Sequence, residues 1–322
     1  MKNASAALLA LATLLATTQF AAAQDTLKLA VGQQGALPTS VSEIGVKAGI
    51  FKKHNLNLEL TYTAGGGETL QPVIGGAVDL GIGVGTSAVM GAFTKGAPVR
   101  IIGGNTTGAM DLMWFVKADS PIKTMADVKG HTFAYGSTGS STQIVARALL
   151  KQFNVSAQMV ATGNFAATMT ATMSGQIDVG WTSPPLVFEP LNAGKIRIIA
   201  TGADAKEYVD QTVRVIAANA NSLATKGDAI RRYVAAYRET MAWMYSGDPK
   251  AITAIAAFMN QDEKIVRQTL AIYTKESLDF DRITGLDGIM ADAVEAKFMS
   301  APLTPQQLKE LIVNIPASGA SK

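Results

Sequence analysis

Hydrophobic and polar residues form repeating blocks along the chain, each consisting of an apolar strand pattern, a turn rich in glycine and hydroxyl residues, and a helical pattern. The clearest block runs through the apolar stretch Thr132–Tyr135, the turn 136–142 and the amphipathic stretch 143–150. Serine and threonine favour helix N-caps, so this block predicts a strand, a turn and a helix. A helix that begins in this way presents unpaired N–H groups and its positive dipole end, which suits a small anion. An ordinary capped helix is the alternative interpretation.

The same order occurs in both halves of the chain. In the first half, strand patterns at 27–31, 56–62 and 79–84 are separated by single helical patterns, which favours right-handed βαβ units around a largely parallel sheet. The motif at residues 76–81 (Gly-Ala-Val-Asp-Leu-Gly) recurs in similar form at residues 175–180 (Gly-Gln-Ile-Asp-Val-Gly). Two such copies indicate two similarly wound lobes. Ligands of open α/β sheets bind beyond the carboxyl ends of the strands, so we expect the turns of both lobes to face one cleft.

From residue 219 onward the pattern is mostly helical. Apolar residues follow one side of the stretch 229–245, namely Ile230, Tyr233, Val234, Tyr237, Met241 and Met244. Such a stripe is typical of a core-facing helix, so we predict core packing against the first lobe and no ligand site here.

The N-terminus and the composition indicate an exported protein. Residues 1–23 combine a lysine, an Ala/Leu-rich core and three final alanines, which predicts a signal peptide cleaved after Ala23. No later segment has the roughly 18 apolar residues of a membrane helix. The 322-residue chain has no cysteine, so we expect neither a lipid anchor nor a disulfide, and its formal charge of +3 is too near neutral for a nucleic-acid surface. These features predict a free monomer in a bacterial periplasm.

Short motifs in a fixed order resemble the type II periplasmic substrate-binding proteins of ABC importers for nitrate, sulfonates, taurine and related solutes. They lie at 48–53, 76–81, 120–130, 136–141 and 175–180, and they span the mature chain. The resemblance implies an α/β fold of two lobes, each a mostly parallel sheet flanked by helices, with the ligand cleft between them. It also implies a discontinuous first lobe (24–115 and 216–322), a second lobe (116–215), a hinge near Val116 and Val215, and delivery of the solute to an inner-membrane permease.

The turns that face the predicted cleft provide the candidate ligand-binding residues, which are Gln33, Gly35, Ser87, Ser137, Thr138, Ser140, Ser141 and Trp181. These turns contain no arginine or lysine, so a monovalent head group such as nitrate, a sulfonate or a carboxylate fits better than phosphate. We place the anion at the helix that begins near Gly139. Trp181 and Phe165 either stack against an apolar part of the ligand or pack in the core.

An enzyme is the rival class. His54 and His131 lie at a charged corner and at a strand start, and no nucleophile elbow or His/carboxylate cluster is present, so we predict no catalytic residue, metal or cofactor. Residues 83–88 match a loose dinucleotide pattern, but the acid expected about 20 residues later is missing near Asn105. The alternative function is binding of a pyrimidine thiamine precursor, with Glu43 or Glu68 in the cleft, or a pyrimidine-synthase-like enzyme on the same fold.

Overall fold

The computed structural model describes residues 24–316, so the predicted signal peptide lies outside the described residues. Within that range, no helix has the length and apolar character needed to cross a membrane.

Ten strands and thirteen helices follow one another in the described part of the chain. The strands are β1 Asp25–Gly32, β2 Leu56–Thr63, β3 Leu80–Gly85, β4 Val99–Thr107, β5 Met113–Lys117, β6 Thr132–Tyr135, β7 Gln158–Ala161, β8 Gly180–Thr182, β9 Ile196–Thr201 and β10 Thr212–Asn219. The helices are α1 Leu37–Lys47, α2 Ile50–Lys53, α3 Gly66–Ile74, α4 Thr86–Thr94, α5 Ser141–Gln152, α6 Phe165–Met173, α7 Phe188–Asn192, α8 Ala220–Thr225, α9 Gly227–Met244, α10 Pro249–Met259, α11 Glu263–Ile272, α12 Leu286–Glu295 and α13 Pro305–Leu311. Two 3-10 turns lie at Met125–Val128 and Lys206–Tyr208.

The strands of the two lobes follow a matching order, in a five-stranded sheet in lobe 1 and in a three-stranded and a two-stranded sheet joined by a single bridge in lobe 2. In lobe 1 the order is β2-β1-β3-β10-β4, with β1 parallel to β2 and β3, and β10 antiparallel to β3 and β4. In lobe 2, β6 is parallel to β7, a bridge between Phe133 and Val179 links β6 to the approach to β8, and β5 lies antiparallel to β8 and β9. The order β7-β6-β8-β5-β9 therefore repeats that of lobe 1. The predicted two-lobed α/β fold is confirmed.

The antiparallel strands in each sheet, β5 and β10, are where the chain changes lobe. It passes between the sheets through segments 108–112 and 202–211, which directly precede these two strands. The predicted hinge positions, Val116 and Val215, lie within β5 and β10 themselves.

Helix α9 supplies much of the core of lobe 1. The six apolar residues predicted for its inner face are all buried in one cluster with residues of β1, β2, α1 and α10. Tyr233 and Tyr237 are fully buried there, and the Tyr233 hydroxyl hydrogen-bonds to Ser42 in α1 at 2.8 Å. The prediction of core packing is confirmed.

In each copy of the sequence repeat, an aspartate at the same position links two neighbouring strands of its lobe. Asp79 precedes β3 and accepts a hydrogen bond from the backbone N–H of Lys28 in β1 at 2.9 Å. Asp178 precedes β8 and accepts one from the backbone N–H of Thr132 in β6 at 2.8 Å. The repeated Asp therefore closes the same strand pair in both lobes. Asp79 also binds Ser222 at 2.7 Å and Lys226 at 2.8 Å.

We predict that Asp79→Asn lowers the free energy of unfolding by about 1–3 kcal/mol at pH 7, because hydrogen bonds to a charged, buried acceptor are lost. Burial opposes ionisation of Asp79, but bonds from Lys226, the Lys28 N–H and Ser222 keep its pKa below the usual 3.8. A lowered folded-state pKa stabilises the fold above pH 3.8, and this stabilisation is lost as the pH falls through the folded-state value. Urea unfolding at pH 7 and below pH 4 tests both statements.

The matched variant is Asp178→Asn, whose carboxylate is 40% exposed compared with 7% for Asp79. Asp178→Asn should lower the free energy of unfolding by less than Asp79→Asn does. Equal losses in the two variants, or a loss for Asp79→Asn that does not shrink in acid, would contradict the assignment.

Candidate functional site

A small cavity of about 30 Å³ lies between the two lobes. Lobe 1 lines it with residues at the ends of β1 and β3 and the starts of α1 and α3, and lobe 2 lines it with residues 140–142, Phe165, Trp181 and Ser183. A single water molecule needs a cavity of roughly 10–15 Å³, so this one has room for only a few heavy atoms.

Four helices begin at the cavity wall. Pro38 and Thr39 lie in the first turn of α1, Gly66 is the first residue of α3, Ser141 the first of α5 and Phe165 the first of α6. The first N–H groups of a helix have no partner inside the helix, and each N-terminus carries a partial positive charge. The cavity therefore lies where four positive helix ends converge.

The turn before α5 uses its own hydroxyls to hold its shape. The Ser140 hydroxyl caps α5 by accepting a hydrogen bond from the Gln143 N–H at 3.3 Å, and the Thr142 hydroxyl accepts one from the Gly136 N–H at 2.8 Å. The two hydroxyl oxygens are 2.7 Å apart. Because these side chains serve the turn, the groups that remain for a ligand are chiefly the backbone N–H groups of the first turn of α5.

Arg214 in β10 brings a cation to the cavity wall that the sequence analysis did not assign there. Its Nη2 donates to both carboxylate oxygens of Asp111, at 2.6 and 2.7 Å, while its buried Nε has no partner among the described residues. Burial alone would lower the pKa of Arg214, but Asp111 raises it, so the guanidinium remains charged. Tyr273 donates to Asp111 at 3.1 Å and lies 2.8 Å from the Ser183 hydroxyl of lobe 2.

Two aromatic rings form the apolar side of the cavity. Trp181 and Phe165 are tilted against each other with ring centroids 4.7 Å apart, and both line the cavity. The indole N–H of Trp181 donates to the Thr162 hydroxyl at 3.2 Å, which fixes the ring. Trp181 is thus both packed and part of the cavity wall.

The predicted ligand-binding residues occupy several places around the junction of the lobes. Gln33, Ser140, Ser141 and Trp181 line the cavity, whereas Ser87 faces a neighbouring small hollow that Ser140 also lines. Thr138 is exposed, the buried Ser137 hydroxyl has no partner among the described residues, and Gly35 lies opposite Leu186. Ligand binding by all eight remains a prediction.

The carboxylates of the alternative function are engaged elsewhere. Glu43 accepts a hydrogen bond from the Tyr62 hydroxyl, and Glu68 accepts one from the Ala64 N–H at 3.2 Å. Neither lines the cavity. His54 and His131 pair with Glu239 and Asp178 outside it. Within residues 24–316 no group of three or more His, Cys, Asp or Glu side chains is placed to bind a metal ion.

The lobes meet backbone to backbone beside the cavity. A Cβ atom added to Gly67 in α3 would lie 2.1 Å from the carbonyl oxygen of Thr138, and one added to Gly85 at the end of β3 would lie 2.3 Å from that of Gly139. Both contacts join lobe 1 to the turn before α5. Only glycine permits this approach, so these two positions control how closely the lobes come together.

The chain has the fold of the type II periplasmic binding proteins. The alkanesulfonate-binding protein SsuA of Xanthomonas axonopodis pv. citri, solved with MOPS, is similar with a TM-score of 0.74 and 16% identity over 90% of this chain and 98% of that one. The nitrate-binding protein NrtA of Synechocystis PCC 6803 gives 0.68 and 13% over 89% and 86%. The desulfurization enzyme DszB gives 0.60 and 14% over 90% and 96%. At these identities the likeness shows the fold alone.

The chain belongs to the NMT1/THI5-like family, whose model matches residues 44–274. No curated protein sequence matches the chain. The resemblance to periplasmic substrate-binding proteins stated from the sequence is confirmed.

We predict that Gly67→Ala prevents full approach of the lobes, because its methyl group would collide with the Thr138 carbonyl. Alanine is a better helix former than glycine, so the variant should stay folded. Solution scattering with saturating ligand should show a larger radius of gyration than wild type, and affinity should fall. Gly75→Ala is the control, since it lies at the end of the same helix with no neighbour closer than 3.6 Å. Wild-type scattering from Gly67→Ala would contradict the prediction.

We predict that Ser140→Asp weakens binding of an organic sulfonate tenfold or more, because a negative side chain at the start of α5 repels the anion. Ser140→Asn is the matched control. Asn and Asp cap helices about equally well, so only the charge differs between the two variants. Titration calorimetry gives both dissociation constants. Equal affinities of the Asp and Asn variants would place the anion elsewhere.

Proposed function

We propose that this protein is the solute-binding component of an ABC importer. It captures a small anionic solute in the cavity between its lobes. An organic sulfonate or carboxylate is the favoured ligand, and taurine or nitrate is the next candidate. It does so as a periplasmic monomer and delivers the solute to a membrane permease.

The observation that carries this proposal is the position of Arg214. Arg214 lines the cavity at which four helices begin, and its buried Nε–H has no acceptor in the described chain. A buried donor without a partner costs roughly 1–3 kcal/mol, and an anionic oxygen removes that cost. Guanidinium and carboxylate or sulfonate oxygens also match in geometry. The site is therefore complementary to a negative head group.

The charge balance favours a monovalent head group. Asp111 already neutralises Arg214 in large part, so the wall offers one shared cation and four partial dipole charges. A dianion such as phosphate would leave charge uncompensated in a region shielded from water. The names of the similar structures, an alkanesulfonate-binding and a nitrate-binding protein, agree with this class of ligand.

Binding is favoured over catalysis by the cavity lining itself. Arg214 is the one ionisable side chain among the described residues that line the cavity. Arginine stays protonated at any physiological pH and does not exchange a proton as a general acid or base. This supports a binder despite the fold likeness to a desulfurization enzyme.

We predict that an organic sulfonate or carboxylate raises the thermal midpoint of the mature protein. Ligand at a hundredfold excess over Kd stabilises the closed form by about 2.7 kcal/mol. In a chain of this size each kcal/mol is worth roughly 2 °C, so the expected shift is about 5 °C. The panel comprises nitrate, taurine, alkyl and aryl sulfonates, aromatic carboxylates and aminopyrimidines, measured by thermal unfolding.

Butanol is the control for butanesulfonate, since it keeps the apolar body without the anion, and it should give no shift. An aminopyrimidine shift with no anion shift would favour the alternative function. No shift with any solute, for protein shown to be folded and free of ligand, would contradict the proposal.

A further inference from the structure

The cavity beside Arg214 is too small for a whole organic anion. Its volume of about 30 Å³ accommodates a head group, whereas sites for small organic molecules usually measure 300–1,000 Å³. The apolar part of any organic solute must therefore occupy another space. This step rests on the proposed function, because it assumes that an anionic head group binds at Arg214.

A second hollow of about 420 Å³, the outer pocket, shares the lining residue Phe165 with the cavity. The rest of its apolar lining comes from α6 (Ala166, Met169, Met173), Leu186 and Pro190, and the charged residues Glu189 and Lys195 also line it. Leu186 reaches the lobe 1 rim of the cleft, because a Cβ atom on Gly35 would lie 3.8 Å from its Cδ1. The outer pocket thus lies next to the cleft, at Phe165 and Leu186.

Two features mark the outer pocket as a binding surface as well as a hollow. Thr182, a residue only 1% exposed, lines the pocket, and its buried hydroxyl has no hydrogen-bond partner in the described chain. Met173 is 37% exposed although it is strongly apolar. Methionine side chains adapt to differently shaped apolar ligands. An apolar occupant would cover Met173, and a polar atom on it would satisfy Thr182.

We infer that the outer pocket binds the apolar body of the same anion whose head group lies at Arg214, with Phe165 as the wall along which that body passes. The ligand is accordingly an amphipathic organic anion with a chain of several carbons. Phe165, Met169 and Leu186 are specificity-determining residues, because they set how much of the chain is removed from water. Inorganic nitrate would leave the outer pocket unused.

The test is the dependence of affinity on chain length. The mature protein is titrated with methane-, butane- and octanesulfonate, and with carboxylates of matching length. Burial of each CH₂ group should tighten binding about fourfold for the carbons that enter the pocket. Binding of the short anions without any gain from the longer chains overturns this inference and leaves the proposed function standing. Failure of every anion to bind overturns both.

Variants then locate the chain. Met169→Glu places a charge in the outer pocket and should reduce the gain to less than twofold per CH₂, while the Kd for methanesulfonate stays within twofold of wild type. The control is Met159→Glu, because Met159 is also a half-buried methionine of lobe 2 but lines a different hollow. Met159→Glu should keep the full gain in affinity per CH₂ group. A full gain in Met169→Glu would show that the chain lies elsewhere and overturn the assignment.

Discussion

The ion pair between Arg214 and Asp111 is the interaction on which the rest of the site depends. Asp111 lies in the first segment that passes between the lobes, and Arg214 lies in β10 just after the second, so the pair ties the two crossings together. Asp111 is 1% exposed and Arg214 13%. Removing two charges from water is costly, and such a pair persists only when its geometry and further hydrogen bonds offset that cost. Tyr273 supplies one further bond to Asp111, whereas the buried Arg214 Nε has no partner among the described residues. Under the proposed function, the guanidinium that ties the two crossings together also binds the ligand.

The fold could be predicted from the sequence because its two lobes repeat the same local chemistry. The motif at 76–81 and its copy at 175–180 each place an Asp between a helix and a strand, and in the structure Asp79 and Asp178 each bind the neighbouring parallel strand. The helical stripe from Ile230 to Met244 was likewise sufficient to predict a core helix. The passage of the chain from one lobe to the other before β5 and β10 was not visible in such local patterns. β5 and β10 look like any other apolar strands, and their partners lie far away in the chain, so only the family resemblance indicated the crossing.

The candidate site was predictable only in part, since long-range partners decide which side chains are free. Ser140 and Thr142 offer hydroxyls in the sequence, but the turn consumes both for its own hydrogen bonds. Arg214 was missed because it lies 103 residues from Asp111 and far from every glycine-rich turn. A signal was present, because an arginine between Val213 and Val215 in a buried strand requires a partner that offsets the cost of burying its charge. That signal identifies a buried charge, although it does not say which cavity the charge faces.

The electrostatics explain why an anion would be recognised and also why it would be released. Four helix ends contribute about 0.3–2 kcal/mol each, and they do so through fixed backbone groups that lose no side-chain entropy on binding. Because Asp111 shares the guanidinium, the ligand meets a partly compensated cation, which limits the affinity that the ion pair alone can give. Much of the binding free energy must then come from closing the lobes over the ligand. In this structure Gly67 and Gly85 lie in close contact with the turn before α5. Under the proposed function, docking on a permease that separates the lobes would remove these contacts and expose the anion to water in the same movement.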